Sequence, residues 1–162
     1  MDILKSQNYI AEHRTETINN LCRFMLTDVL LFWSDKPDLE AYQKAHWQPI
    51  LNRLNAVFKL DLQTTTNLTP AENRSAQAVL SELLTAMPDK ELTGCFLASA
   101  ATKSVLLGLL MAKKNITATE AFNAAFLEEI YQNRAWGTDV VALNARRQTE
   151  SQLKQIEVFL DN

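Results

Sequence analysis

Thr117-Ala118-Thr119-Glu120 opens a run in which Phe122, Phe126 and Ile130 follow at four-residue steps. Glu128-Glu129-Ile130-Tyr131-Gln132-Asn133-Arg134-Ala135-Trp136-Gly137-Thr138-Asp139 brings that run to a stop. Thr117 followed three residues later by Glu120 is a capping box, in which each side chain accepts a backbone N–H bond that the first turn of a helix leaves open. The four-residue steps then put three apolar side chains on one helix face. A helix running through Arg134 needs, just past its end, a residue tolerant of left-handed dihedrals, and Gly137 supplies one. Thr138 or Asp139 can cap the helix that follows. The stretch therefore spells a helix start, an inner face, a stop and a restart.

The rest of the composition agrees with that grammar. Three Gly and four Pro in 162 residues leave little material for hairpin turns and favour long helices. Apolar residues make up 47% and charged residues 22%, which fits a globular chain with a sizeable core. The net charge is −3, from 16 basic and 19 acidic residues of interspersed sign. No Lys/Arg cluster of the kind that grips phosphates is present, which argues against a nucleic-acid partner. The most apolar stretch, Leu92 to Ala112, carries Lys103 at its middle and Thr93, Ser99, Thr102 and Ser104 around it. A buried helix is expected there, with no membrane insertion. Asp2, Glu12 and Glu16 sit where a transit peptide would be acid-poor, and no apolar signal-peptide core precedes them.

About six helices are expected in one all-α domain spanning residues 1–162. The first covers Leu4 to Phe32, with Ile18, Leu21, Cys22, Met25, Val29 and Phe32 inward. Pro37 restarts the chain into a second helix ending near Phe58, with Trp47, Ile50, Leu51 and Leu54 on its apolar side and Pro49 expected to kink or split it. Leu60 to Leu68 reads as a short extended connector. Thr69-Pro70-Ala71-Glu72 has the pattern of a second capping box and should open the helix of Val79, Leu80, Leu83, Leu84 and Met87. Lys90 to Lys113 should be a central helix, in which Gly94, Ala98, Ala101 and Gly108 let neighbours approach. Asp139 to Leu160 should be the last, with Val140, Leu143, Leu153, Ile156 and Leu160 inward. The large aromatics Trp33, Trp47 and Trp136 are expected in the core, Trp136 as a strut beneath the Gly137 corner.

The inventory of reactive groups is poor. His13 and His46 lack Glu, Asp or Cys at metal-ligand spacing, and Cys22 and Cys95 have no metal or redox spacing, so buried reduced thiols are expected. No nucleophile elbow, phosphate loop or dinucleotide fingerprint occurs. Glu128 and Glu129 are adjacent, but neighbouring helix residues point about 100° apart and do not share one reacting atom. A solvated helix face accounts for both. Lys113-Lys114 at a helix end complements the macrodipole without a partner. These features argue against an enzyme and for an interaction role.

From Thr27 onward the chain resembles the assembly chaperones that bind the free α subunit of the ATP synthase catalytic head, in mitochondria and related bacteria. Thr27-Asp28, then Pro37, Leu39, Gln43, Trp47 and Pro49, then the Gly94-to-Met111 helix, Glu128, Tyr131-Gln132, Trp136-Gly137, Asp139 and Arg146 arrive in the family's order. Departures are Phe32-Trp33 where the family has a positive charge, and Gln48 and Val141 where it has acidic residues. Members usually carry a β-rich N-terminal domain, and Met1 falls about where that domain would end. Either a helical domain of a longer protein or a shortened member would fit. The resemblance implies a non-catalytic chaperone that holds the free α subunit until the β subunit replaces it, with no cofactor or metal, monomeric, and cytoplasmic in a bacterium or in the matrix of a mitochondrion. It places Glu128, Gln132, Asp139 and Arg146 at the partner surface, with Glu128 as the functionally important glutamate, and Trp47, Pro49, Tyr131, Trp136 and Gly137 as structural signature. On geometry alone, Glu128 should face solvent, with Arg146, Arg147 or a partner's cation within reach. A helical interaction module with a different partner is the alternative.

Overall fold

The computed structural model describes residues 2–137 and 139–162. Its elements are α1 (Ile3–Glu12), α2 (Arg14–Met25), a 3-10 turn (Val29–Leu31), α3 (Pro37–Phe58), α4 (Arg74–Thr85), α5 (Asp89–Thr102), α6 (Val105–Ala112), α7 (Ala118–Ala125), α8 (Leu127–Trp136) and α9 (Val140–Asp161). The fold is all-α, as expected. Among the described residues there are nine α-helices where about six were expected, because three long runs break, at His13, at Lys103–Ser104 and at Phe126.

The first run breaks at His13, whose φ of −120° and ψ of 36° leave helical geometry. Beyond the break, Arg14 reaches the far end of α4. Its guanidinium donates to the carbonyls of Leu84 (3.2 Å), Thr85 (3.1 Å) and Met87 and pairs with Asp89 at 2.8 Å. A cation is thus bound to the orphan carbonyls of a helix C-terminus, where the macrodipole favours it. By contrast, α3 runs unbroken through Pro49. The Thr69-Glu72 capping box does not form. Glu72 instead accepts from the Arg74 N–H (2.9 Å), and Asn73 grips Gln63, accepting from its N–H (2.8 Å) and donating to its carbonyl (3.0 Å). That amide bridge holds the connector and delays the helix to Arg74. The expected extended connector is irregular: Asp61 has a positive φ (50°), the chain bends over 66–69, and one isolated parallel bridge joins Phe32 and Thr65.

The expected helix from Lys90 to Lys113 is two helices. Lys103 adopts a left-handed conformation (φ 58°), and Ser104 caps α6 by accepting from the Leu107 N–H at 3.0 Å. The cause is Asp28, whose side chain is completely buried. Its carboxylate accepts from the Leu30 N–H (3.1 Å), the Ser104 hydroxyl (2.8 Å) and the Leu106 N–H (3.0 Å). Broken there, α6 folds back along α5 so closely that Gly108 abuts the other helix's backbone. A Cβ at Gly108 would stand 2.5 Å from the Cys95 carbonyl oxygen and collide with the Ser99 hydroxyl. At Gly94 the neighbour is Leu160 of α9, 2.5 Å from an added Cβ. Every α6 residue is buried, and α1, α2, α7 and α9 pack around the α5–α6 pair.

The Thr117–Glu120 capping box forms with both bonds present, but the helix it opens yields at Phe126 (φ −104°, ψ 20°) and continues as α8. Trp47, Leu106 and Phe122 are buried, whereas Leu83 and Phe126 are only half-buried against the core. Trp33 is likewise half-buried, with its indole N–H donating to the Leu30 carbonyl at 2.9 Å. In α9, Leu153, Ile156 and Leu160 face inward as expected, but Val140 is exposed and Leu143 half-buried. Cys22 and Cys95 are buried free thiols. Burial pushes Cys95 up to about 12 and raises Cys22, so both are inert as nucleophiles.

Burial lifts the Asp28 carboxyl from 3.8 to about 6, against the pull of the Leu106, Leu30, Ser104 and Val105 donors. Folded chains therefore hold this proton more tightly than unfolded ones between about pH 4 and 6. The stabilisation that protonation gives is full below the unfolded value and lost as pH rises through the folded one. Asp28→Asn removes the titration while keeping an acceptor. The stability of the wild type relative to this variant should improve by about 2 kcal/mol from pH 7 to pH 4, measured by urea denaturation. A difference constant over that range would refute a raised Asp28.

Candidate functional site

Helix α8 carries Glu128 and Gln132, two of the four residues expected at the partner surface, and α3 mounts it. Gln43 of α3 is fully buried, and its amide joins two segments: the oxygen accepts from the Ser34 N–H (2.7 Å) and the nitrogen donates to Glu128 Oε1 (2.6 Å). One turn further along α3, Trp47 is buried and its indole N–H donates to the Ala124 carbonyl at 2.9 Å, at the end of α7. Tyr42 packs on Tyr131 with ring centroids 5.1 Å apart, and the Arg134 guanidinium lies 5.5 Å over the Tyr42 ring. Tyr42 and Gln43 of α3 thus meet Glu128, Tyr131 and Arg134, which follow at three-residue steps on one face of α8.

Glu128 departs from expectation. It is half-buried and bonded to Gln43 within the fold, and neither Arg146 nor Arg147 is its partner. Arg146 pairs instead with Glu129, at 3.8 Å. Oriented with its oxygen toward Arg146, the Asn133 amide accepts from both terminal guanidinium nitrogens (2.8 and 2.7 Å) and donates to the Gly137 carbonyl (3.1 Å). Arg146 was expected at the partner surface, but its side chain is only 7% exposed. Buried between Glu129 and Asn133, it staples α9 to α8. Gln132 is exposed, as a contact residue must be. Asp139 is exposed too, and its carboxylate is engaged as the N-cap of α9, accepting from the Val141 N–H at 2.9 Å. Thr138, the other expected cap, lies outside the described residues.

The corner contradicts the expected strut. Trp136 is 88% exposed, and Val140 and Val141 beyond the corner are 68% and 77% exposed. Gly137 does have positive φ (88°), but with ψ at 173° it lies outside the left-handed helical region, in backbone space that is essentially glycine's alone. An added Cβ there would touch nothing within 4 Å. The glycine is needed for backbone conformation and not for space.

Composition and spacing alone did not point to Gln43 as the mount of Glu128 or to Asp28 as a buried cap. Both residues stood among the family-ordered positions, and that was the one sequence signal available. Among the described residues no group of three or more His, Cys, Asp or Glu is placed to hold a metal, and no helix is long and apolar enough to cross a membrane. The surface clefts are shallow and open, including the one lined by Lys103, Glu128, Glu129 and Gln132.

Because Glu128 accepts from a buried amide, its truncation should not be silent. Glu128→Ala leaves the Gln43 N–H₂ without its acceptor and should cost about 1–3 kcal/mol. Glu128→Gln keeps an acceptor oxygen and should cost less than about 1 kcal/mol. Thermal denaturation of the two variants separates these outcomes, and equal melting temperatures would mean that the bond carries no stability.

Residues 1–55 match the sequence model of the family described as ATP12 chaperone protein, so the match begins ahead of Thr27, where the resemblance was expected to start. The fold is similar to the crystal structure of Atp12 from Paracoccus denitrificans, with a TM-score of 0.87 at 21% identity over 94% of this chain. It is also similar to Atu1473 from Agrobacterium tumefaciens, with a TM-score of 0.83 at 24% identity over 93% of this chain. The chain spans 66% of the former and 57% of the latter. The resemblance read from the sequence is thus borne out twice, by the match of residues 1–55 to the ATP12 chaperone model and by a helical fold similar to that of Atp12.

Proposed function

We propose that this protein is an assembly chaperone that binds the free α subunit of the ATP synthase catalytic head and keeps it from aggregating until the β subunit replaces it. The observation that carries this reading is the match of residues 1–55 to the ATP12 chaperone family. The likeness of the fold to Atp12 supports it. An unassembled subunit exposes a large apolar interface, and something must cover it until the proper neighbour arrives. A cover that has to leave is better served by moderate affinity and a polar rim than by a permanent apolar interface.

In this reading the protein is a non-catalytic monomer that needs neither nucleotide nor metal. Glu128 and Gln132 on α8 belong to the contact surface, while Asp139 and Arg146 shape it by capping and stapling the neighbouring helix. The compartment is the one in which the catalytic head is built, the cytoplasm of a bacterium or the matrix of a mitochondrion. Light scattering of isolated α subunit, with and without the chain and without ATP, tests the proposal. Stoichiometric chain should suppress the scattering, and a soluble complex should elute on gel filtration. Aggregation at the same rate in its presence would contradict the assignment and favour a helical module serving another partner.

A further inference from the structure

Glu128, Gln132 and Trp136 follow one another at four-residue steps along α8. Such residues share one slightly slanting stripe, here about 12 Å from end to end at 1.5 Å per residue. Exposure rises along it, from half-buried Glu128 through exposed Gln132 to Trp136 at 88%. Past Gly137, Val140 and Val141 are exposed as well, at 68% and 77%. An indole so exposed, at the end of a helix that stops at a glycine-only corner, is unexplained by packing.

The other end of the stripe is a carboxylate in need of a cation. Gln43 fixes Glu128 Oε1, and no Lys or Arg among the described residues forms a salt bridge with Glu128, whereas neighbouring Glu129 has Arg146. The carboxylate is half-desolvated and held in one geometry by a buried amide. A charge-assisted bond to it is therefore worth more than one formed in open water.

We infer that this stripe is a two-point recognition ridge, in which Trp136 is an apolar anchor and Glu128 an ionic register. Its occupant is a protein surface offering an apolar pocket for the indole and an Arg or Lys about 12 Å away. The inference rests on the chaperone reading, under which that surface belongs to the free α subunit. Charge favours a protein over a lipid surface: an exposed aromatic beside an unpaired carboxylate, on a chain of net charge −3, is repelled by anionic headgroups.

Titrating wild type, Trp136→Ala, Trp136→Phe and Glu128→Gln into free α subunit tests the ridge. Trp136→Ala should weaken binding by about 30-fold, as loss of an interface anchor does, with its melting temperature unchanged. Trp136→Phe should recover most of the affinity, and Glu128→Gln should weaken it by about tenfold with a smaller salt dependence. Wild-type binding matched within about twofold by Trp136→Ala would overturn the ridge while leaving the chaperone reading intact. No binding by the wild type would remove both. If sedimentation shows that the chain alone self-associates through Trp136, the occupant is a second copy and the inference is wrong.

Discussion

Asp28 puts a carboxylate where water does not reach, and the fold is arranged around meeting its demand for donors. Two backbone N–H groups and one hydroxyl converge on it from the 3-10 turn and from the start of α6. For those donors to reach it, the chain must leave helical geometry at Lys103 and restart at Ser104. That break lets α6 fold back on α5 with Gly108 against the Cys95 carbonyl, and the pair becomes the apolar spine for the helices around it. Hydrophobic burial supplies the bulk of the driving force. The carboxylate contributes a condition on the geometry: a polar group this deep is tolerable only when bonded, so packings that misplace α6 are penalised.

The same logic recurs at the functional face. Gln43 is buried because both ends of its amide are satisfied, by Ser34 and by Glu128. Arg146 is buried because Glu129 and Asn133 receive it. Each of these polar staples fixes α8 against a neighbour, α3 on one side and α9 on the other. Under the proposed function, a helix held from both sides loses little conformational freedom on binding, which is a direct gain in affinity. In that reading Glu128 has two roles: one oxygen is bonded within the fold to Gln43, and the carboxylate charge is offered to the partner.

Much of the helical arrangement was legible because it depends on local chemistry. The capping box at Thr117 and Glu120 needs no information from elsewhere in the chain, nor does the start at Pro37 or the poverty of glycine. The two unexpected helix starts, at Arg74 and Val105, share one cause, which is contact with residues elsewhere in the sequence. Asn73 overrides the Thr69 capping pattern because it binds Gln63, and Asp28 breaks a strongly apolar helix 76 positions away. Neither interaction leaves a mark on hydropathy. Trp136 failed for the opposite reason. Large aromatics are usually buried, and only the tertiary structure reveals that α9 leaves the Gly137 corner without packing over the indole. The family order marked Glu128 as important, but its bond to Gln43 was invisible without coordinates.

Under the proposed function, the rigidly mounted α8 and the corner after it meet the client subunit while the α5–α6 spine stays as it is. Hydrogen exchange on the chain, alone and with a stoichiometric amount of free ATP synthase α subunit, tests this directly. Exchange should slow across 128–141 in the complex and stay unchanged in α5 and α6. Protection confined to other elements, such as α1 and α4, with α8 exchanging as in the free chain, would contradict it.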